Sequence, residues 1–199
     1  MEFFISTFLK MFFIMTPFFV LSVFLTVTQE ESISQRKKLA IKVTISVIIM
    51  VLVLLFFGQH IFAILGITLD AFKIGAGALL FLTAIELVKG NKESTKVGDK
   101  DIMQLAVVPL ALPITIGPGT IGVLLVMGAE LDSFSKLVIG SSALLTAILL
   151  IGTMLYLSSL IEKFIGKEGL LIISKVTGLF LAALSAQIMF TGIKGFLGI

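Results

Sequence analysis

The sequence predicts an all-α membrane protein of six transmembrane helices, set as two inverted three-helix repeats in which helices 1 and 4 are discontinuous. Three observations carry this. Of the 199 residues, 58% are hydrophobic and 14% are charged, against roughly 25% charged in an average soluble domain. With a mean hydropathy of +1.18, a soluble fold would lack the polar residues to cover itself. The apolar residues fall into six runs, each near the roughly 20 residues that a spanning helix needs. The two halves also repeat each other weakly, and prolines interrupt the matching helices. A membrane barrel would show alternating strands of about 10 residues; VTISVIIMVLVLLFF is a continuous apolar run instead.

The first run, residues 3–27, is interrupted by Lys10, Thr16 and Pro17. The chain opens MEFF, with an acid where a signal peptide would carry basic residues, so this run is expected to stay as a helix. The second covers 39–67 and holds Gly58-Gln59-His60 near its end; the third covers 71–88. A hydrophilic linker, KGNKESTKVGDKD at 89–101, divides the chain almost in half. The fourth, fifth and sixth runs cover 102–127, 137–160 and 170–196. The expected organisation is a first repeat at 1–88, a cytoplasmic linker at 89–101 and a second repeat at 102–199.

The loops set the orientation. Arg36, Lys37, Lys38, Lys89, Lys92, Lys96, Lys100, Lys163 and Lys167 fall on one side, and Lys10, Lys136 and Lys194 on the other, with Lys73 near that edge. The positive-inside rule puts the richer side in the cytoplasm. Both termini of an inner-membrane protein would then face outward. The net charge of +3 sits in these short loops, so it reads as an orientation signal and not as a nucleic-acid surface. The absence of cysteine excludes thiolate catalysis and iron–sulfur clusters.

A gapless alignment of residues 73–84 on 175–186 sets Lys73 on Lys175, Thr83 on Ser185 and Ala84 on Ala186; continued, it sets Gly90 on Gly192. Three helices per half is an odd number, so the second copy must enter the membrane upside down. Pro17 breaks the first helix, and Pro113 and Pro118 break the fourth. Interrupted segments at matching places in inverted halves point to a carrier's binding site near the midplane. Lys73 and Lys175 open the two repeated helices, either as interface anchors or as a symmetric pair of gating residues.

PLALPITIGPGTIG, residues 109–122, holds three of the four prolines. Proline removes a backbone donor, and freed backbone groups in lipid cost several kcal/mol unless satisfied. So many breakers exceed what a kink requires. They suit an unwound centre whose half-helix ends line a polar cavity. The GPGTIG within it matches a dinucleotide fingerprint by letter but lacks the preceding strand and βαβ unit. Half-helix N-termini offer N–H groups to a carboxylate, and C-termini offer carbonyls to an ammonium. A small zwitterion fits such a site without a buried charged side chain. The expected substrate site is Thr16, Pro17, Pro113, Gly117, Pro118, Gly119 and Thr120, with hydroxyls from Thr83 and Ser185; Thr115 and Gln187 are further suppliers. Replacing Gly119 with leucine is expected to abolish binding and leave the fold.

PLALPITIGPGTI, FKIGAGALLFLTAIELV and SKVTGLFLAALSAQIMFTGIKG resemble the MarC/SnatA family of bacterial and archaeal membrane proteins. The resemblance spans essentially the whole chain. It implies two inverted triplets, discontinuous first and fourth helices meeting at the substrate, and transport of small neutral amino acids such as alanine, serine or glycine. One departure lies in the first helix. The family's pattern there has Asn-Pro, a glycine two residues on and a proline three beyond that; here stand Thr16-Pro17, Phe19 and Ser22.

Other candidates weigh less. His60 reads as an interfacial or packed histidine or as a proton relay. Asp70 and Glu86 lie near span edges, too shallow for a central proton site. Ser141 and Ser142 with His60 would make an intramembrane serine protease only if a Ser–His pair formed, and nothing in the spacing fixes one, so no enzyme is expected. No resident cofactor is expected either, and Na⁺ and H⁺ both stay open as coupling ions. The competing reading is a channel or a non-transporting membrane scaffold; a channel's flux would not saturate.

Overall fold

The computed structural model describes residues 1–90, 110, 111 and 115–198, with the backbone alone for 58–65. Its regular elements are α1 (Glu2–Ile14), α2 (Pro17–Val27), α3 (Ile33–Leu65), α4 (Leu69–Lys89), α5 (Pro118–Glu130), α6 (Phe134–Tyr156) and α7 (Ser158–Leu197). No strand occurs among the described residues. Five stretches are long and apolar enough to cross a membrane: Glu2–Val27, Ile33–Phe57, α4, α6 and α7; α5 is a shorter apolar helix. The linker at 89–101 lies outside the described residues beyond Gly90, as do Pro109 and Pro113.

The pattern along α3 shows why these helices need lipid. Val43, Val47, Val51 and Leu55 are buried at 2% exposure or less. On another face Ile41, Ile45, Ile49 and Val53 are half or more exposed. A helix apolar on every side, with bulky aliphatics turned outward, is built for a bilayer. Inside, Met15, Leu21, Phe24, Leu80, Ile116, Leu124 and Leu144 belong to one continuous core.

The helix ends follow local chemistry. Ser32 and Gln35 form a reciprocal capping box, with the Gln35 N–H donating to Ser32 Oγ at 3.3 Å and the Ser32 N–H to Gln35 Oε1 at 3.4 Å. The second helix therefore starts at Ile33, six residues before its apolar run. Thr68 and Ser133 cap α4 and α6 with their hydroxyls. Gly166, at φ 72° and ψ 166°, bends the start of α7. The helical piece before that bend, residues 158–165, was expected to be the end of the fifth helix and a loop; α6 in fact stops at Tyr156.

The most extensive helix contact is between α4 and α7. A methyl on Gly178 would lie 3.1 Å from the Ala84 carbonyl oxygen, and one on Gly77 3.0 Å from that of Ser185. Small residues let two membrane helices approach this closely. α5 wedges between α3 and α4, with Gly128 against the Leu55 carbonyl and Gly122 against Ala76. α1 runs along α6, and α2 along α7.

Candidate functional site

Pro17 has no N–H to give to the preceding turn, and the chain responds by closing α1 at Ile14. Met15 N–H donates to Met11 O and Thr16 N–H to Phe13 O, both at 3.0 Å. Thr16 then turns left-handed, at φ 48° and ψ 56°, before Pro17 opens α2. It is the sole non-glycine with positive φ among the described residues. A β-branched residue in that region is strained, at a cost of order 1–3 kcal/mol. Its side chain does not cap α2, and only 4% of it is exposed. The Thr16 carbonyl takes the Val20 N–H at 3.0 Å, which leaves the Phe18 and Phe19 N–H groups as the first donors of α2 without a place in its own ladder.

The start of α5 has the same plan. Gly117 precedes Pro118 at the first helical position, and its carbonyl takes the Ile121 N–H at 2.9 Å. Gly119 and Thr120 then hold the leading N–H groups. Just upstream, the Thr115 hydroxyl donates to Leu110 O at 2.7 Å, and Ile116 N–H donates to Ala111 O at 2.9 Å, a backbone bond five residues back and wider than an α-helix makes.

The two places meet. Thr120 Oγ1 donates to the Ile14 carbonyl at 3.5 Å, joining the first turn of α5 to the end of α1. Gly119 sits on the backbone of α4: a methyl there would stand 2.8 Å from both the Cα and the N of Leu80. That corrects one expectation, since Gly119→Leu would drive α5 off α4 and disturb packing as well as any ligand. Pro17 is buried and Pro118 is exposed. Ser185 is fully buried in the seam with α4, and its hydroxyl donates to Ala182 O at 2.7 Å. The Thr83 hydroxyl donates to Leu79 O at 3.1 Å. These last two are satisfied within their own helices, and no hydrogen bond among the described residues ties them to the breaks.

Above the Ile14–Thr120 contact lies a cavity of about 430 Å³ between α1, α5 and α7. Its floor includes Ile14, its wall is mostly apolar with Thr7, Gln187 and Thr191 among it, and Lys10, Lys73, Glu130 and Lys136 reach its lining. Lys73 Nζ lies 2.8 Å from Glu130 Oε1 and 3.7 Å from Asp70 Oδ1. Lys136 pairs with Asp132 at 2.9 Å. That hydrogen bond, and then the lysine's charge, hold the Asp132 carboxyl below its ordinary range. Sequence reasoning singled out Gln187, which also lines the cavity, but not the cavity itself. Residues of α1, α4, α5, α6 and α7 build it, and no local pattern announces their convergence.

At the opposite end Arg36 ties neighbouring segments together. Its guanidinium donates to the Thr28 carbonyl at 2.9 Å, the Gln29 carbonyl at 3.1 Å and Ser159 Oγ at 3.5 Å, and stands 3.8 Å from Glu162 Oε2. One α3 side chain thus holds the end of α2 against the start of α7.

A family model described as MarC family integral membrane protein matches residues 1–197. A UPF0056 membrane protein of Methanocaldococcus jannaschii is 34% identical, over 98% of each chain. One of Aquifex aeolicus is 32% identical, over 98% of this chain and 94% of its own. The UPF0056 membrane protein YhcE of Escherichia coli is 29% identical, over 94% and 90%. No solved structure matches.

Proposed function

The chain belongs to the MarC family of integral membrane proteins, and from that premise we propose that it is a secondary transporter of small neutral amino acids, of the alanine, serine and glycine class. It works by alternating access at a site between the break in helix 1 and the start of α5. The observation that carries this reading is the Ile14–Thr120 contact at the floor of a cavity, with the far end held by Arg36. A passage open on one side and closed on the other suits a carrier and not a channel.

The inverted-repeat reading has support in the α4–α7 seam. A methyl on Gly90 would lie 3.2 Å from Lys175 Cε, and one on Gly192 2.9 Å from Lys73 Cβ. The gapless alignment equates Gly90 with Gly192 and Lys73 with Lys175, so the two contacts exchange under a two-fold axis. The packing of α5 on α4 and of α2 on α7 exchanges in the same way.

In this reading the leading N–H groups of α2 and α5, set by Thr16-Pro17 and Gly117-Pro118, receive the substrate carboxylate. The Ile14 carbonyl and the Thr120 hydroxyl receive its ammonium. Phe19 packs against the core and limits the side chain admitted. Thr83 and Ser185 contribute by packing at the seam. Na⁺ and H⁺ are both open as coupling ions. The cavity mouth faces outward, as do both termini.

The test is counterflow of radiolabelled alanine into proteoliposomes preloaded with alanine, with and without a sodium gradient. Saturable exchange, blocked by serine or glycine, is the expected result. Flux that does not saturate would make the protein a channel, and no flux from folded protein would make it a scaffold. A C-terminal phosphatase fusion is expected to be active, and a strongly fluorescent C-terminal fusion would overturn the orientation.

A further inference from the structure

The cavity is larger than alanine needs, and its charged end is unusual. It lies within the roughly 300–1,000 Å³ range of small-molecule sites, at about 430 Å³. Below the mouth its wall is aliphatic, through Met11, Val123, Met127 and Leu184. The charged side chains of the lining are Lys10, Lys73, Lys136 and Glu130; Lys73 is paired with Glu130 and with Asp70, and Lys136 with Asp132, the two aspartates standing behind the lining. Charges of both signs over an apolar wall, with two of the three lysines already paired to carboxylates, do not select an anion such as a lipid headgroup. They match a molecule that carries both signs itself.

We propose that this cavity is an access subsite for aliphatic zwitterions, which bind by inserting into the Lys73–Glu130 pair before reaching the deeper site. It rests on the transport reading for its substrate class and extends it to neutral amino acids bulkier than those carried. Glu130 is half exposed and on the lining, so it can turn from Lys73 to an incoming ammonium. Lys73, released, keeps Asp70 at 3.7 Å, so the insertion strands no cation. The carboxylate is taken by Lys73 together with Lys10, which makes no salt bridge among the described residues. The aliphatic side chain lies on the wall between Val123, Met127 and Leu184. The Ile14–Thr120 floor below stays closed to it.

The experiment is binding of radiolabelled leucine to the purified full-length protein, with isocaproate (leucine without its ammonium) and isoamylamine (leucine without its carboxylate) as competitors. Wild type is expected to prefer leucine over each by about tenfold or more, the size that one charge-assisted hydrogen bond confers. In Glu130→Gln the preference over isocaproate should collapse while that over isoamylamine persists. In Lys10→Met the reverse should hold. Both side chains reach the mouth, so neither change opens the core, and a merely structural role would not split the two preferences. Preferences unchanged by either substitution overturn the proposal, as does stronger binding of isocaproate than of leucine, which would mark an anion site. Alanine counterflow without leucine binding overturns the subsite and leaves the transport reading standing. Leucine binding with both preferences but no counterflow does the opposite.

Discussion

At the scale of single residues, Thr16 carries the most information. Its left-handed backbone is one that asparagine tolerates and threonine does not, and asparagine is what the family resemblance expects there. Thr16→Asn should therefore raise stability by about 1–2 kcal/mol, the usual penalty of that region, and should retain transport; a fall in the denaturation midpoint would contradict the strained conformation. Asp132 gives a second, smaller prediction. Its carboxyl is held below the ordinary range by Lys136, so the pair adds stability above that range and loses it as pH falls through the lowered value. The two groups are exposed and salt screens them. The small difference in midpoint between wild type and Asp132→Asn should narrow on acidification and in high salt. The break at Pro17 was legible because proline's chemistry is local. The left-handed turn of Thr16 was not, since nothing in its side chain asks for it.

At the scale of elements, the α4–α7 seam is the most extensive helix contact. A methyl on Gly192 would stand 2.7 Å from the Asp70 carbonyl oxygen, so Gly192→Val should destabilise by about 1–3 kcal/mol through overpacking. Gly75, on the same helix pair, has nothing near its Cβ position, and Gly75→Ala should be neutral or mildly stabilising. Equal losses at both positions, measured as denaturation midpoints in detergent, would refute the assigned seam. Hydropathy made the apolar runs legible but not their ends. Ser32-Ile33-Ser34-Gln35 is a capping signature, yet the run it serves starts only at Leu39, because the intervening turn is charged and lies outside the apolar stretch. Gly166 is one glycine among 18, and only a backbone at φ 72° separates it from those that pack. Gly178 of α7 lies against Ala84 of α4, a small-residue contact of the kind that lets membrane helices approach closely.

At the scale of the molecule, a cavity closed below by Ile14 and Thr120 and a clamp at Arg36 are what one state of the proposed transport cycle requires. Arg36→Ala removes the bonds that hold the end of α2 to α7. It should shift the population toward a state accessible from that end, seen as faster labelling of a cysteine placed at Ser159, and unchanged labelling would remove the clamp from the account. Family membership was legible because proline- and glycine-rich motifs survive as words in the sequence. The cavity was not, because α1, α5 and α7 are far apart in the chain and no spacing rule relates them. The absence of native cysteine makes the decisive measurement clean. Thr7→Cys on α1 and Thr191→Cys on α7 face the same cavity, and a reducible bifunctional thiol reagent can bridge them. Alternating access predicts that alanine counterflow stops on bridging and returns on reduction. Exchange that continues with the cavity bridged, or that never occurs in the reduced protein, would contradict it.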